Sequence, residues 1–174
     1  EDHFQAWATL GIADKLQSLD VAKLERVLEN VVRRHFTQQD RSAHIYRATL
    51  FKVRSCWFCG SWLGIVGRSG TLYPQRTTVF SIDPKTVEHN TGIAGECWRR
   101  EGQTIIAELP NIREPLSRDG AIPEEAIARY QGAGYLADQE RKALNVRAVV
   151  FLATGIRVAG KVWGVLVLDT TDPN

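Results

Sequence analysis

Cys56-Trp57-Phe58-Cys59 has the spacing of half a zinc site or of a redox pair. A thiolate is both the metal ligand and the nucleophile, and two intervening residues bring the sulfurs to one ion or one disulfide. The chain has no second CxxC and no CxxH. A closed tetrahedral zinc site would therefore need Cys97, a histidine, or the same loop of a second subunit. The strand-to-helix setting of thioredoxin-like enzymes is also missing. Trp57, Phe58 and Trp62 flank the pair, so the cysteines also fit an aromatic-rich connection without chemistry. Cys56 and Cys59 are the candidate metal residues, and the metal-binding, redox and incidental readings all stay open.

Thr91-Gly92-Ile93-Ala94-Gly95 is the second stretch with chemical potential. Val79–Ile82 before it reads as a short strand. The small residues open a helix over Glu96–Arg100, Gly102 ends it, and Gln103–Glu108 reads as a further strand. A helix start leaves backbone N–H groups unpaired, at the positive end of the dipole. Such groups can face a polar or anionic ligand. The same glycines also suit a helix packed closely on a sheet.

The elements that would position these residues follow from periodicity. Phe4–Leu16 places Phe4, Trp7, Ala8, Ile12 and Leu16 on one apolar face, and Val21–Phe36 places Val21, Leu24, Leu28, Val31 and Val32 on another. Each helix could pack on its own sheet or on a second subunit. Ile45–Arg54 and Leu63–Arg68 read as paired strands, and Thr77–Ile82 as an edge strand ended by Asp83-Pro84. Pro110–Tyr135 is the least regular part, with a short helix from Pro123, where proline suits the first helical position. Leu136–Leu144 reads as another helix. Val146–Val158 and Lys161–Asp169 form a hairpin turned at Ala159-Gly160. Val149–Leu152 and Val165–Leu168 are unbroken apolar runs, the pattern of strands covered on both faces.

A chain of 174 residues suits one domain with one core. Its net charge of +2 is too small to argue for nucleic acid or a membrane surface. No apolar run approaches the roughly 18 residues of a membrane span. Three cysteines make no secreted disulfide framework, which points to a reducing, cytoplasmic setting. The start at Glu1 and the absence of methionine read as a piece of a longer protein.

Three segments together resemble the GAF domain family. Gly92-Ile-Ala-Gly-Glu-Cys-Trp-Arg-Arg-Glu-Gly-Gln-Thr-Ile-Ile-Ala-Glu-Leu109 looks like the family's Gly-opened helix and the strand after it. Gly160-Lys-Val-Trp-Gly-Val-Leu-Val-Leu-Asp169 resembles its last strand. Ser18–Leu28 is similar to its first helices. The resemblance covers nearly the whole chain. It implies one α+β domain over 1–174, with N-terminal helices in 1–36, a sheet core in 43–169 and a lid in 110–135. The implied sheet is six-stranded and antiparallel, in the order 3-2-1-6-5-4, with helices on both faces. The family's final C-terminal helix has no counterpart before Asn174.

The resemblance also implies a small-molecule site. Phe80, Ser81 and Ile82 would form its floor, and Thr91, Gly92, Ile93 and Ala94 one wall. Trp98 would offer an aromatic face, Phe151 would close the back, and Tyr130 and Tyr135 would lie in a lid over Leu116–Tyr135. The ligand and any cofactor stay unidentified. The Asn-Lys and Phe-x3-Asp-Glu signature of cyclic-nucleotide-binding members is absent. Cys97 does not match the bilin-attaching cysteine, and His89 is the sole histidine near the implied pocket. The implied function is a non-catalytic sensory or regulatory domain that signals to an output domain. It would bind a small molecule, dimerise through its N-terminal helices, or do both. Two alternatives stay open: a cysteine-dependent enzyme of the free methionine sulfoxide reductase type, and a structural dimerisation module.

Overall fold

Leu24, Leu28, Val31 and Val32 recur at helical spacing, and all four are buried. They hold the first described helix, α1 (Val21–His35), against a sheet. Each apolar side chain so buried contributes about 1.5–3 kcal/mol. Arg33, Arg34 and His35 close the last turn, where positive charge complements the helix dipole. The computed structural model describes residues 21–36, 44–57, 60–69, 79–82, 92–110, 124–134 and 148–172. The first expected helix, Phe4–Leu16 with Trp7, lies outside them, as do Leu136–Leu144 and His89.

The remaining elements are β1 (Tyr46–Cys56), β2 (Gly60–Arg68), β3 (Val79–Ser81), α2 (Gly92–Arg99), β4 (Ile105–Glu108), α3 (Glu124–Gly134), β5 (Val150–Val158) and β6 (Lys161–Thr170). The strands lie in the order β3-β2-β1-β6-β5-β4, and every neighbouring pair is antiparallel. This α+β arrangement has the strand order that the GAF resemblance implies. The β5–β6 hairpin turns at Ala159 and Gly160, both at positive φ.

The unbroken apolar run of β6 is divided between two layers, as its pattern requires. Val165 and Val167 join Phe51, Leu63, Ile93, Ala94, Cys97, Ala153 and Tyr130 beneath α2 and α3. Leu166 and Leu168 join Tyr46, Ala48, Leu50 and Ile156 beneath α1. The central strands β1 and β6 are therefore covered on both sides.

Several boundaries differ from the sequence reading. β1 and β2 extend further into their connection, to Cys56 and from Gly60, because cross-strand pairing continues there. Trp57 at the tip is 94% exposed. α2 begins at Gly92, four residues before the expected Glu96. Gly92–Gly95 thus form its first turn and not a turn ahead of it; burial of Ile93 and Ala94 outweighs glycine's weak helix propensity. β4 starts at Ile105 and β5 at Val150, later than expected, since pairing between them begins only there. The short helix expected from Pro123, by contrast, is present as the 11-residue α3, held by buried Ala126 and Tyr130. The α1 stripe is buried on its own sheet, which removes it as a surface for a second subunit.

Candidate functional site

The entry to α2 is shaped by one ring. Gly92 has φ +55, and an added Cβ would lie 2.6 Å from Phe80 Cε1. Any larger residue there meets both backbone strain and the ring. Phe80 in turn faces Phe51 with ring centroids 5.5 Å apart and planes at 53°. A short edge strand, a central strand and the Gly-opened helix therefore meet through two aromatic rings.

The expected site residues distribute around this contact. Phe80, Ile82, Trp98 and Phe151 are half-buried and pack on the cluster that contains buried Ile93, Ala94 and Tyr130. Gly92 touches that cluster through Phe80. Ser81 pairs with Trp62 in the sheet. Thr91 and Tyr135 lie outside the described residues, as does the rest of the lid apart from α3.

α2 also carries a buried carboxylate. Glu96 accepts from Arg100 Nε at 2.6 Å and pairs with Arg99 as well. Both arginines are half-exposed, so Glu96 anchors the solvent side of the helix end. The helix then stops as Gly102 N–H donates to Cys97 O.

Cys97 is fully buried, and its thiol lies 3.2 Å from Gln103 O, to which it donates. Burial, and secondarily the charge of Glu96, pushes the thiol up to about 12. At neutral pH it is a protonated, inert packing group. A thiol reagent at pH 7.5 is expected to label Cys97 about a thousandfold more slowly in the native chain than in urea, because labelling follows thiolate fraction. Equal rates, read by mass spectrometry, would overturn this assignment. Cysteine redox chemistry would thus have to use Cys56 and Cys59. The Cys56 side chain and Cys59 lie outside the described residues, among which no group of three or more potential metal ligands is gathered.

A polar cluster occupies the end of the same sheet face. On β1, Arg47 and Thr49 precede Phe51 at alternate positions; on β6, Asp169 follows Val165 and Val167 in the same way. Arg47 donates from Nε and Nη2 to Asp169 Oδ1, at 2.7 and 2.6 Å. Arg68 donates from Nε to Thr49 Oγ1 at 3.0 Å. Phe151 is the cross-strand neighbour of Asp169. Tyr130 reaches down from α3 and donates to Ala148 O at 3.1 Å. Burial, reinforced by the Asp169 charge, holds its phenol well above the usual tyrosine range. Asp169 is itself held above the usual carboxylate range, because burial outweighs the attraction of Arg47 and Arg68.

Sequence reasoning missed Arg47, Thr49, Arg68 and Asp169. Counting back by twos from Phe51 and forward by twos from Val165 would have found three of them. Arg68 is different, because a register shift between Leu50 and Phe51 interrupts the β1–β2 ladder. Phe51 pairs with Ile65 and Leu50 with Gly67, so Val66 is an extra residue on β2. Without this shift, strict alternation through Val66 would place Gly67 on the face of Leu63 and Ile65, and Arg68 would point toward α1. With it, Arg68 sits opposite Thr49 and beside Asp169.

No family model matches the chain, and no curated protein matches it. Solved structures are similar to it. One is the NreA protein of Staphylococcus aureus mutated in its nitrate-binding site, 15% identical with a TM-score of 0.49 over 86% of this chain and 87% of that one. Another is the nlh2 GAF domain of A. Aeolicus in an inactive state, 15% identical with a TM-score of 0.45 over 95% and 78%. A third is a protein with bound biliverdin IXa in a far-red-absorbing dark state, 17% identical with a TM-score of 0.43 over 92% and 80%.

Proposed function

We propose that this chain is a GAF-like sensory domain, non-catalytic by itself, which binds a small molecule on the sheet face beneath α2 and α3 and biases a neighbouring output domain. The observation that carries this reading is the gathering of Phe80, Ile82, Ile93, Ala94, Trp98, Tyr130 and Phe151 on one face, with polar groups at its end. Mostly apolar walls with a few convergent polar groups are what a small-molecule site needs. The first turn of α2 adds, beside Phe80, backbone N–H groups that have no partner within the helix. The protonated Cys97 speaks for binding and against thiol chemistry at this helix.

A ligand shifts such a domain only by binding one conformation better than another. α1 lies on the opposite face of the same central strands, so a change beneath α2 reaches α1 through β1 and β6. Homodimerisation through the N-terminal helices is part of the proposal. With α1 turned to its own sheet, the contributing surface is that of Phe4–Leu16, with Trp7 as its largest apolar side chain.

Native mass spectrometry of the purified chain tests both parts. The expected spectrum is a dimer with a small-molecule adduct that is released on denaturation. A monomer with no adduct, whose melting temperature no compound in a metabolite panel changes, would leave the domain as a scaffold without a ligand.

A further inference from the structure

We propose that the Arg47–Thr49–Arg68–Asp169 end of this face binds the carboxylate of a small monocarboxylic acid, with the Arg68 guanidinium as its main contact. This rests on the small-molecule reading above and names the ligand class for the same face.

Among the described residues the charges of this cluster do not cancel. Two guanidinium groups face one carboxylate, and Asp169 is only 5% exposed. Arg47 commits two N–H groups to a single oxygen of Asp169. Arg68 is half-buried and is held at Nε by the neutral Thr49 hydroxyl. Among the described residues no carboxylate hydrogen-bonds to it. Burial lowers its proton affinity, repulsion from Arg47 adds to this, and Asp169 opposes both. Among the described residues one positive charge is thus left over in a partly desolvated place, where an unpaired charge is costly.

A second buried donor, on the helix that covers this face, has no acceptor among the described residues. Gln131, next to Tyr130 on α3, is 9% exposed, and its Nε2 has no partner among the described residues. Buried polar groups are nearly always hydrogen-bonded, so an unmet amide donor on the helix that covers this face needs an account. Both unmet demands are for an acceptor, and the guanidinium asks for a negative one.

The shape of the demand narrows the class. A guanidinium edge presents two parallel N–H groups to two coplanar oxygens. One residual charge asks for one negative charge. Phe151 beside Asp169 and Phe51 beyond Thr49 continue the surface as apolar, which favours a carboxylate on an apolar body over a bare oxyanion.

The test uses the 174-residue chain with sodium benzoate, sodium acetate and sodium nitrate, each against sodium chloride at equal ionic strength. Benzoate is expected to raise Tm with the logarithm of its concentration, by roughly 5 °C or more at a hundredfold excess over its Kd, and to bind more tightly than acetate or nitrate. Arg68→Gln is expected to weaken benzoate binding tenfold or more, and Arg68→Lys by less. Benzoate should also slow modification of Arg68 by phenylglyoxal in the unaltered chain, a readout that needs no variant to fold. Nitrate binding that outcompetes benzoate would overturn the organic-acid assignment. Absence of binding by all three anions, or equal binding to Arg68→Gln, would overturn the site. A retained neutral ligand in the native spectrum, with no anion binding, would sink this proposal while leaving the sensory reading intact.

Discussion

Gly164→Ala is expected to cost about 3 kcal/mol, at the upper end for overpacking of a core. For a chain of this size that is a fall of roughly 6–12 °C in Tm. The new Cβ would lie 2.3 Å from Phe51 O, a backbone atom of the neighbouring strand. No rotamer relieves a clash between a Cβ and a carbonyl. The strands would have to part, and neither can move freely. Val165 is fully buried under α2 on one side, and Leu50 is buried under α1 on the other. Gly132→Ala is the matching control. It lies in α3 with nothing within 4 Å of the added Cβ, and gains about 0.5–1 kcal/mol from helix propensity. Urea melts of both variants check the pair. A Gly164→Ala loss below about 0.5 kcal/mol, the scale of an ordinary surface substitution, would mean that β1 and β6 are not clamped between their layers.

Tyr130→Ala is expected to destabilise the domain by about 3–5 kcal/mol, the range for removing a buried aromatic side chain. Tyr130 is 1% exposed and packs among Ala126, Ala153 and Val167, so its ring ties α3 to the sheet. Tyr130→Phe separates ring from hydroxyl. It loses only the hydrogen bond to Ala148 O, about 1 kcal/mol, and leaves that carbonyl needing a partner. Hydrogen exchange across Glu124–Gly134 should accelerate strongly in the alanine variant and little in the phenylalanine one. Similar losses for the two variants would show that the hydroxyl, and not the ring, holds α3.

The apolar elements were legible because their patterns have one cause. Val165–Leu168 could be unbroken only if both faces of β6 were covered, and they are. Leu24, Leu28, Val31 and Val32 could share a stripe only on a helix that buries it. α2 starts before the expected Glu96 because Ile93, Ala94 and Cys97 supply a buried face that overrides glycine's weak helix propensity. The order of the strands came from family resemblance and not from periodicity, which says nothing about which strand lies beside which. The polar end of the site was overlooked for another reason. Arg47 and Asp169 sit near strand ends, where charges ordinarily meet water. Only the packing of α3 above them shows that one is buried.

The extra residue on β2 has a consequence for how this strand tolerates change. Val66 acts as a phase shift: residues before it and after it obey opposite parities. A substitution at Val66 alters one side chain, and a one-residue deletion there would leave its successors where they are, because Ile65, Gly67 and Arg68 already pair with Phe51, Leu50 and Thr49 in turn. Gly67 would keep facing Leu24. Arg68 would keep its place opposite Thr49, now in an unbroken ladder. β2 is therefore one residue longer than its ladder requires at this point, and a strand shortened there could keep every following side chain on its present face.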